Sequence, residues 1–225
     1  MQAGLIRGFL FDLHGVIADS WQYHLASWQA IAVELKIPWT TKLTQMLPGM
    51  SRRDSLITIL ASVNRQAEFD EDQLLAVTDH ENELYRQFVA QMTPANRLPG
   101  ITAFLDELQV ANYPLALASA STNAPAEIER LGLRPVFTKI VAAADLSASK
   151  PAPDVYLAAA KLIDQSPQRC VALEDTVTGV QAAKAAGCLT IGINVKQLPG
   201  ADGMLSTTAD LSLAAVQRVL GLPTV

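Results

Sequence analysis

The sequence predicts an α/β protein in which a doubly wound parallel sheet carries a small all-helical domain inserted after the first strand. Three observations carry this reading. Short apolar runs without polar alternation recur along the chain, as in strands covered on both faces. Amphipathic helical patterns separate most of them, and the stretch 20–96 holds helical patterns alone.

The run GFLF (8–11) is the first predicted strand, and LALAS (115–119), KIVAA (139–143), CVAL (170–173) and LTIGI (189–193) read the same way. Between them lie helical patterns. ITAFLDELQVA follows Pro99-Gly100, APAEIERLG follows Asn123, APDVYLAAAKLI follows Pro151 and TGVQAAKAAG follows Thr176. Strands that alternate with helices are joined by crossovers, so the sheet is parallel. WQYHLASWQAIAVELK, SRRDSLITILASV and EDQLLAVTDHENELYRQFVAQM are helical patterns with no strand among them. Residues 1–19 and 97–225 are therefore expected to form a discontinuous core domain, with 20–96 as a helical cap. Ligands bind at the carboxyl edge of open parallel sheets, so an insert that starts there is expected to act as a lid.

A chain of 225 residues that is 50% hydrophobic and 17% charged buries a full core. Its formal net charge of -5 argues against nucleic-acid binding, which needs many cations facing phosphates. Any bound phosphate must be gripped locally. Cys170 and Cys188 each adjoin an apolar run and read as buried free thiols in a reducing compartment. The opening MQAGLIRGFLFDLHGVIADS is interrupted by Arg7 and Asp12 and has no small-residue cleavage site, so it does not read as a signal peptide. No stretch approaches the roughly 18 to 20 apolar residues of a membrane span, and a soluble, cytoplasmic monomer is expected.

Chemistry concentrates at the predicted strand ends. Asp12 follows GFLF directly, with Gly15 permitting a tight turn, and suits a nucleophile or metal ligand; the alternative is a turn former. Ser119 ends the next strand, where a hydroxyl and backbone amides can hold phosphate oxygens. Lys150, in SASKPAPD, can neutralise a phosphoryl group, whereas a Lys-Pro pair alone is an exposed turn. Glu174 and Asp175 follow CVAL and suit a hard cation such as Mg2+. A carboxylate, a hydroxyl, a lysine and an acidic pair at four strand ends together make the kit for metal-assisted phosphoryl transfer.

FDLHGVIADS, LASAS, SKPAPD and LEDTVTG resemble, in order and spacing, the four motifs of the haloacid dehalogenase superfamily of phosphatases and phosphomutases, whose core is Rossmann-like. PGMSRRDSL and NELY in the cap, with LASAST and SKPAPD, resemble its bacterial beta-phosphoglucomutase family in particular. The resemblance implies that Asp12 is the nucleophile that becomes an aspartyl phosphate. It implies Mg2+ held by the Asp12 carboxylate, the backbone carbonyl of His14, Glu174 and Asp175. Ser119, the Ala120 amide and Lys150 then grip the transferring phosphate. Arg52 contacts the second phosphate of a hexose bisphosphate, Ser121 and Asn123 assist from the core, Gly49 lets the cap backbone approach the sugar, and His24 and Trp28 line the cap side. Trp21, His24 and Trp28 share a helical spacing, so packing is the competing reading for each.

Three positions depart from that family. His14 stands where it has the aspartate acid and base, Thr122 where it has lysine, and Glu81 where it has a basic residue. The metal survives the first change, since only the backbone carbonyl is used there; proton transfer, worth roughly 10² to 10⁴ in rate, is what it puts at stake. The resemblance thus implies a phosphomutase interconverting beta-D-glucose 1-phosphate and glucose 6-phosphate, with His14 as the acid and base. A sugar phosphatase and a catalytically impaired sugar-phosphate binder are the alternatives.

Overall fold

The structure is a computed structural model and describes residues 6–223. The first five residues of the opening segment, read above for a leader, lie outside them. In chain order the elements begin with β1 (Gly8–Phe11), α1 (Trp21–Glu34), α2 (Thr41–Met46), α3 (Arg52–Ala61) and α4 (Glu71–Gln91). They continue with α5 (Ile101–Val110), β2 (Leu115–Leu117), α6 (Ala124–Arg130), α7 (Asp154–Leu162) and β3 (Cys170–Glu174). The last are α8 (Val177–Ala186), β4 (Leu189–Ile193), β5 (Gly203–Leu205) and α9 (Leu213–Val219). The sheet is parallel throughout, in the order β2-β1-β3-β4-β5, which is the expected α/β doubly wound class.

Each face of β1 meets different side chains, because successive residues of a strand point to opposite faces. Phe9 and Phe11 pack on aromatic rings, Phe9 edge-on to Phe104 and Tyr113 and Phe11 edge-on to Phe137. Leu10 faces the other layer, a cluster of small and medium residues from α7 and α8 that includes Val155, Ala159, Ala160, Ala182 and Ala183. Burying each of the two phenylalanines stabilises by roughly 1.5–3 kcal/mol. Cys170 and Cys188 lie in the second layer as free, buried thiols, and burial pushes their pKa values up to about 11 and about 12.

One predicted feature differs, and a few short elements were not predicted. KIVAA forms no named strand: Ile140 makes one isolated bridge to Leu117, held by hydrogen bonds from Leu117 N to Lys139 O (2.9 Å) and Val141 N to Leu117 O (3.1 Å). The chain then turns into a short 3-10 helix at Ala143–Asp145, since three-residue β2 offers little edge to extend along. Strand β5, absent from the sequence reading, is too short to give an apolar run, and α2 and α9 are likewise short.

The chain divides into two compact units, one joining the chain up to Asp19 to the chain from Thr93 onward, the other Ser20–Met92. Within the second, Trp28, Ile31, Leu56, Ile59, Leu60 and Leu74 form an apolar core. Helix α4 starts with a reciprocal cap in which the Asp70 carboxylate accepts from Gln73 N and the Gln73 side chain accepts from Asp70 N. Among the described residues no helix is long and apolar enough to cross a membrane.

Candidate active site

Register places the chemistry. Phe11 is aligned with both Leu117 and Leu173, so the residues that follow in the three strands emerge at one sheet edge. Backbone bonds tie the exits together: Asp12 N donates to Leu173 O (3.1 Å) and Ala118 N to Phe11 O (2.7 Å). Asp12, Glu174 and Asp175 each present a carboxylate oxygen within 4.8 Å of the others. Lys150 Nζ donates to Asp12 Oδ1 at 2.6 Å and to Glu174 Oε1 at 2.5 Å. Tyr156, from α7, donates its hydroxyl to the same Glu174 oxygen at 2.5 Å, a partner the sequence reading did not include.

The charges are deeply placed and shift one another. Burial alone would lower the Lys150 pKa, but Asp12 and Glu174 outweigh it and hold the ammonium above its ordinary value. Burial raises Glu174 above the usual carboxylate range, with Lys150 pulling the other way and Asp12 adding to the rise. Asp175 is pushed well above its ordinary value by burial first, then by Asp12 and Glu174. Its Oδ1 is buried without a hydrogen-bond partner. Three crowded carboxylates, one oxygen of which is orphaned, are an oxygen donor set that fits a divalent cation such as Mg2+.

Two glycines make room for this crowding. Gly15 has φ +82°, and a Cβ there would lie 1.9 Å from Asp175 Oδ2. Gly179, in the first turn of α8, would place a Cβ 2.0 Å from the Glu174 carboxylate. Its amide donates to Thr176 Oγ1 (3.1 Å), which caps the helix and also donates to Glu174 Oε2 (3.3 Å). TVTG thus shapes the acid site besides starting a helix.

Ser119 is buried at the exit of β2, and its Oγ accepts from Ser121 N at 3.2 Å. Ser121 Oγ in turn accepts from Asn123 N (3.2 Å), so the loop Ser119–Asn123 is folded on its own hydroxyls ahead of α6, with Ala120 exposed. His14 lies just beyond Asp12. Its Nε2 is 3.2 Å from both carboxylate oxygens of Glu127, a wholly buried residue of α6 that sequence reasoning missed. Burial opposes protonation of His14, but Glu127 outweighs it, with Asp12 and Asp175 adding, and the pKa is raised above 6.5.

In the inserted unit, Glu81 is wholly buried and accepts from Ser27 Oγ (2.5 Å) and Arg52 Nε (2.6 Å), while His24 Nδ1 is 3.8 Å away. His24 stacks on Tyr85, ring centroids 3.7 Å apart. Trp28 is buried in the insert's apolar cluster, the packing alternative of the sequence reading. Gly49 has φ +83° in the turn before α3.

The family model for haloacid dehalogenase-like hydrolases matches residues 6–187. The chain belongs to this family. Among haloacid dehalogenase relatives, it is 35% identical to the beta-phosphoglucomutase of Bacillus subtilis over 92% of each chain. It is 28% identical to hexitol phosphatase A of Escherichia coli, covering 95% of this chain and 93% of that one. A crystal structure of beta-phosphoglucomutase from Clostridium difficile superposes with a TM-score of 0.90 at 31% identity, covering 96% of this chain and 98% of the other. The chain is thus similar in sequence to both mutase and phosphatase relatives over most of its length, and in fold to a mutase.

Proposed function

We propose that this protein is a Mg2+-dependent phosphomutase that interconverts beta-D-glucose 1-phosphate and glucose 6-phosphate through an aspartyl phosphate on Asp12 and a hexose bisphosphate. The observation that carries the proposal is the convergence of Lys150, Asp12 and Glu174, with Asp175 adjoining, at one strand edge. Asp12, Glu174, Asp175 and the His14 carbonyl hold Mg2+ in this reading. The bound ion supplies positive charge beside the phosphoryl oxygens.

Asp12 attacks phosphorus as the bond to the leaving oxygen breaks, and His14 delivers a proton to that oxygen. His14 then takes a proton from the hydroxyl that attacks the aspartyl phosphate, restoring the Asp12 carboxylate. Lys150, Ser119 and the Ala120 amide hold the transferring group, with Ser121 and Asn123 ordering the loop. In the cap, Arg52 meets the second phosphate, Gly49 brings the backbone near the sugar, and His24 lies beside Glu81.

A phosphatase is the second reading, in which water attacks the aspartyl phosphate. The Arg52–Glu81 ion pair favours it, because a neutralised guanidinium attracts a second phosphate less strongly. Incubation with beta-glucose 1-phosphate, a trace of the bisphosphate and Mg2+ separates them, since a mutase yields glucose 6-phosphate and a phosphatase yields free phosphate. Asp12→Asn must form no phosphoenzyme; turnover in that variant refutes both.

A further inference from the structure

We infer that Glu127 is a positioning residue that acts through His14, fixing the orientation of its ring and the nitrogen that handles the proton. This rests on the proposed use of His14 as acid and base. Glu127 sits in the first turn of α6, wholly buried, and its two carboxylate oxygens are equidistant from His14 Nε2 at 3.2 Å. A buried carboxylate is costly, and pairing with an imidazole two residues beyond Asp12 compensates that cost at the reaction centre. A carboxylate accepts, so the proton between the two residues resides on Nε2. With Nε2 turned to Glu127, proton exchange with the reacting oxygen is assigned to the other ring nitrogen, Nδ1. An aspartate at position 14 has no N–H to donate to Glu127 and no need of this partner. His14 and Glu127 thus work as one unit joining the loop after β1 to α6.

The test is a double-mutant cycle. In the parent, Glu127→Leu is expected to lower turnover about 10- to 100-fold, the range seen when a hydrogen-bonded support is taken from a ligand or catalytic group. Glu127→Gln keeps an acceptor for Nε2–H and falls between the two. In the His14→Asp background, Glu127→Leu costs less than about threefold. Equal losses in both backgrounds would show that Glu127 serves the fold alone and overturn the inference. Nitrogen-15 NMR of the unsubstituted protein provides a second arm independent of folding of the variants. At a pH high enough to leave the His14 ring neutral, the Nε2–H tautomer is expected, and the Nδ1–H tautomer overturns the inference. Absence of any phosphoenzyme in the parent would instead refute the proposed function, with the tautomer still reporting on the positioning.

Discussion

Gly179→Ala offers a sharp test of the acid site, because local and tertiary effects have opposite signs. In a helix, replacing glycine by alanine stabilises by roughly 1 kcal/mol. Here the new Cβ would lie 2.0 Å from Glu174 Cδ and Oε2 and 2.1 Å from Oε1, whereas ordinary contact begins at 3.4 Å. The carboxylate must retreat by about 1.4 Å, the difference between 3.4 and 2.0 Å. Such a shift disrupts the hydrogen bonds from Lys150 and Tyr156, both at 2.5 Å. Overpacking costs about 1–3 kcal/mol, and a hydrogen bond to a charged group contributes about 1.5–3 kcal/mol. Against the helix gain, with one of the two hydrogen bonds lost, a net loss of about 1.5–5 kcal/mol is expected, together with weaker Mg2+ binding. Urea unfolding with and without Mg2+, followed by circular dichroism, measures both. An alanine variant as stable as the parent, binding Mg2+ unchanged, would refute the packing argument.

Lys150→Met leaves Asp12 and Glu174 without their shared cation, so a loss of about 3–5 kcal/mol is expected in Mg2+-free buffer, read by thermal unfolding. The pH dependence of the metal effect follows from Glu174 and Asp175, whose folded pKa values are raised. Acids of this kind are stabilising only in their protonated form, so stability is full below about the ordinary 3.8 of Asp175 and falls as pH rises past it. Addition of Mg2+ should therefore raise the melting temperature little near pH 4 and progressively more toward pH 8. For Glu81 the sign reverses: burial opposes ionisation, but His24, Ser27 and Arg52 outweigh it and lower the pKa below 4.5. Glu81→Gln should cost about 1–3 kcal/mol at neutral pH, a difference that fades as the parent is acidified below pH 4.5.

Apolar runs and helical periodicity determined much by themselves: an α/β chain, LTIGI at the residues of β4, and helices after Pro99-Gly100, Asn123, Pro151 and Thr176. These signals are local, set by which side chains must leave water within one element. The acid cluster was legible for the same reason, since each member follows an apolar run directly. Glu127 and Glu81 were not legible as partners, because an isolated glutamate in a helical pattern looks like a solvated face. Only tertiary structure decided that they are buried, 113 residues from His14 in one case and 29 from Arg52 in the other. The same holds for Gly179, whose reason is the space that the Glu174 carboxylate occupies. Burial and ion pairing join residues far apart in the chain, and one-dimensional spacing carries no record of which distant partner will compensate a charge.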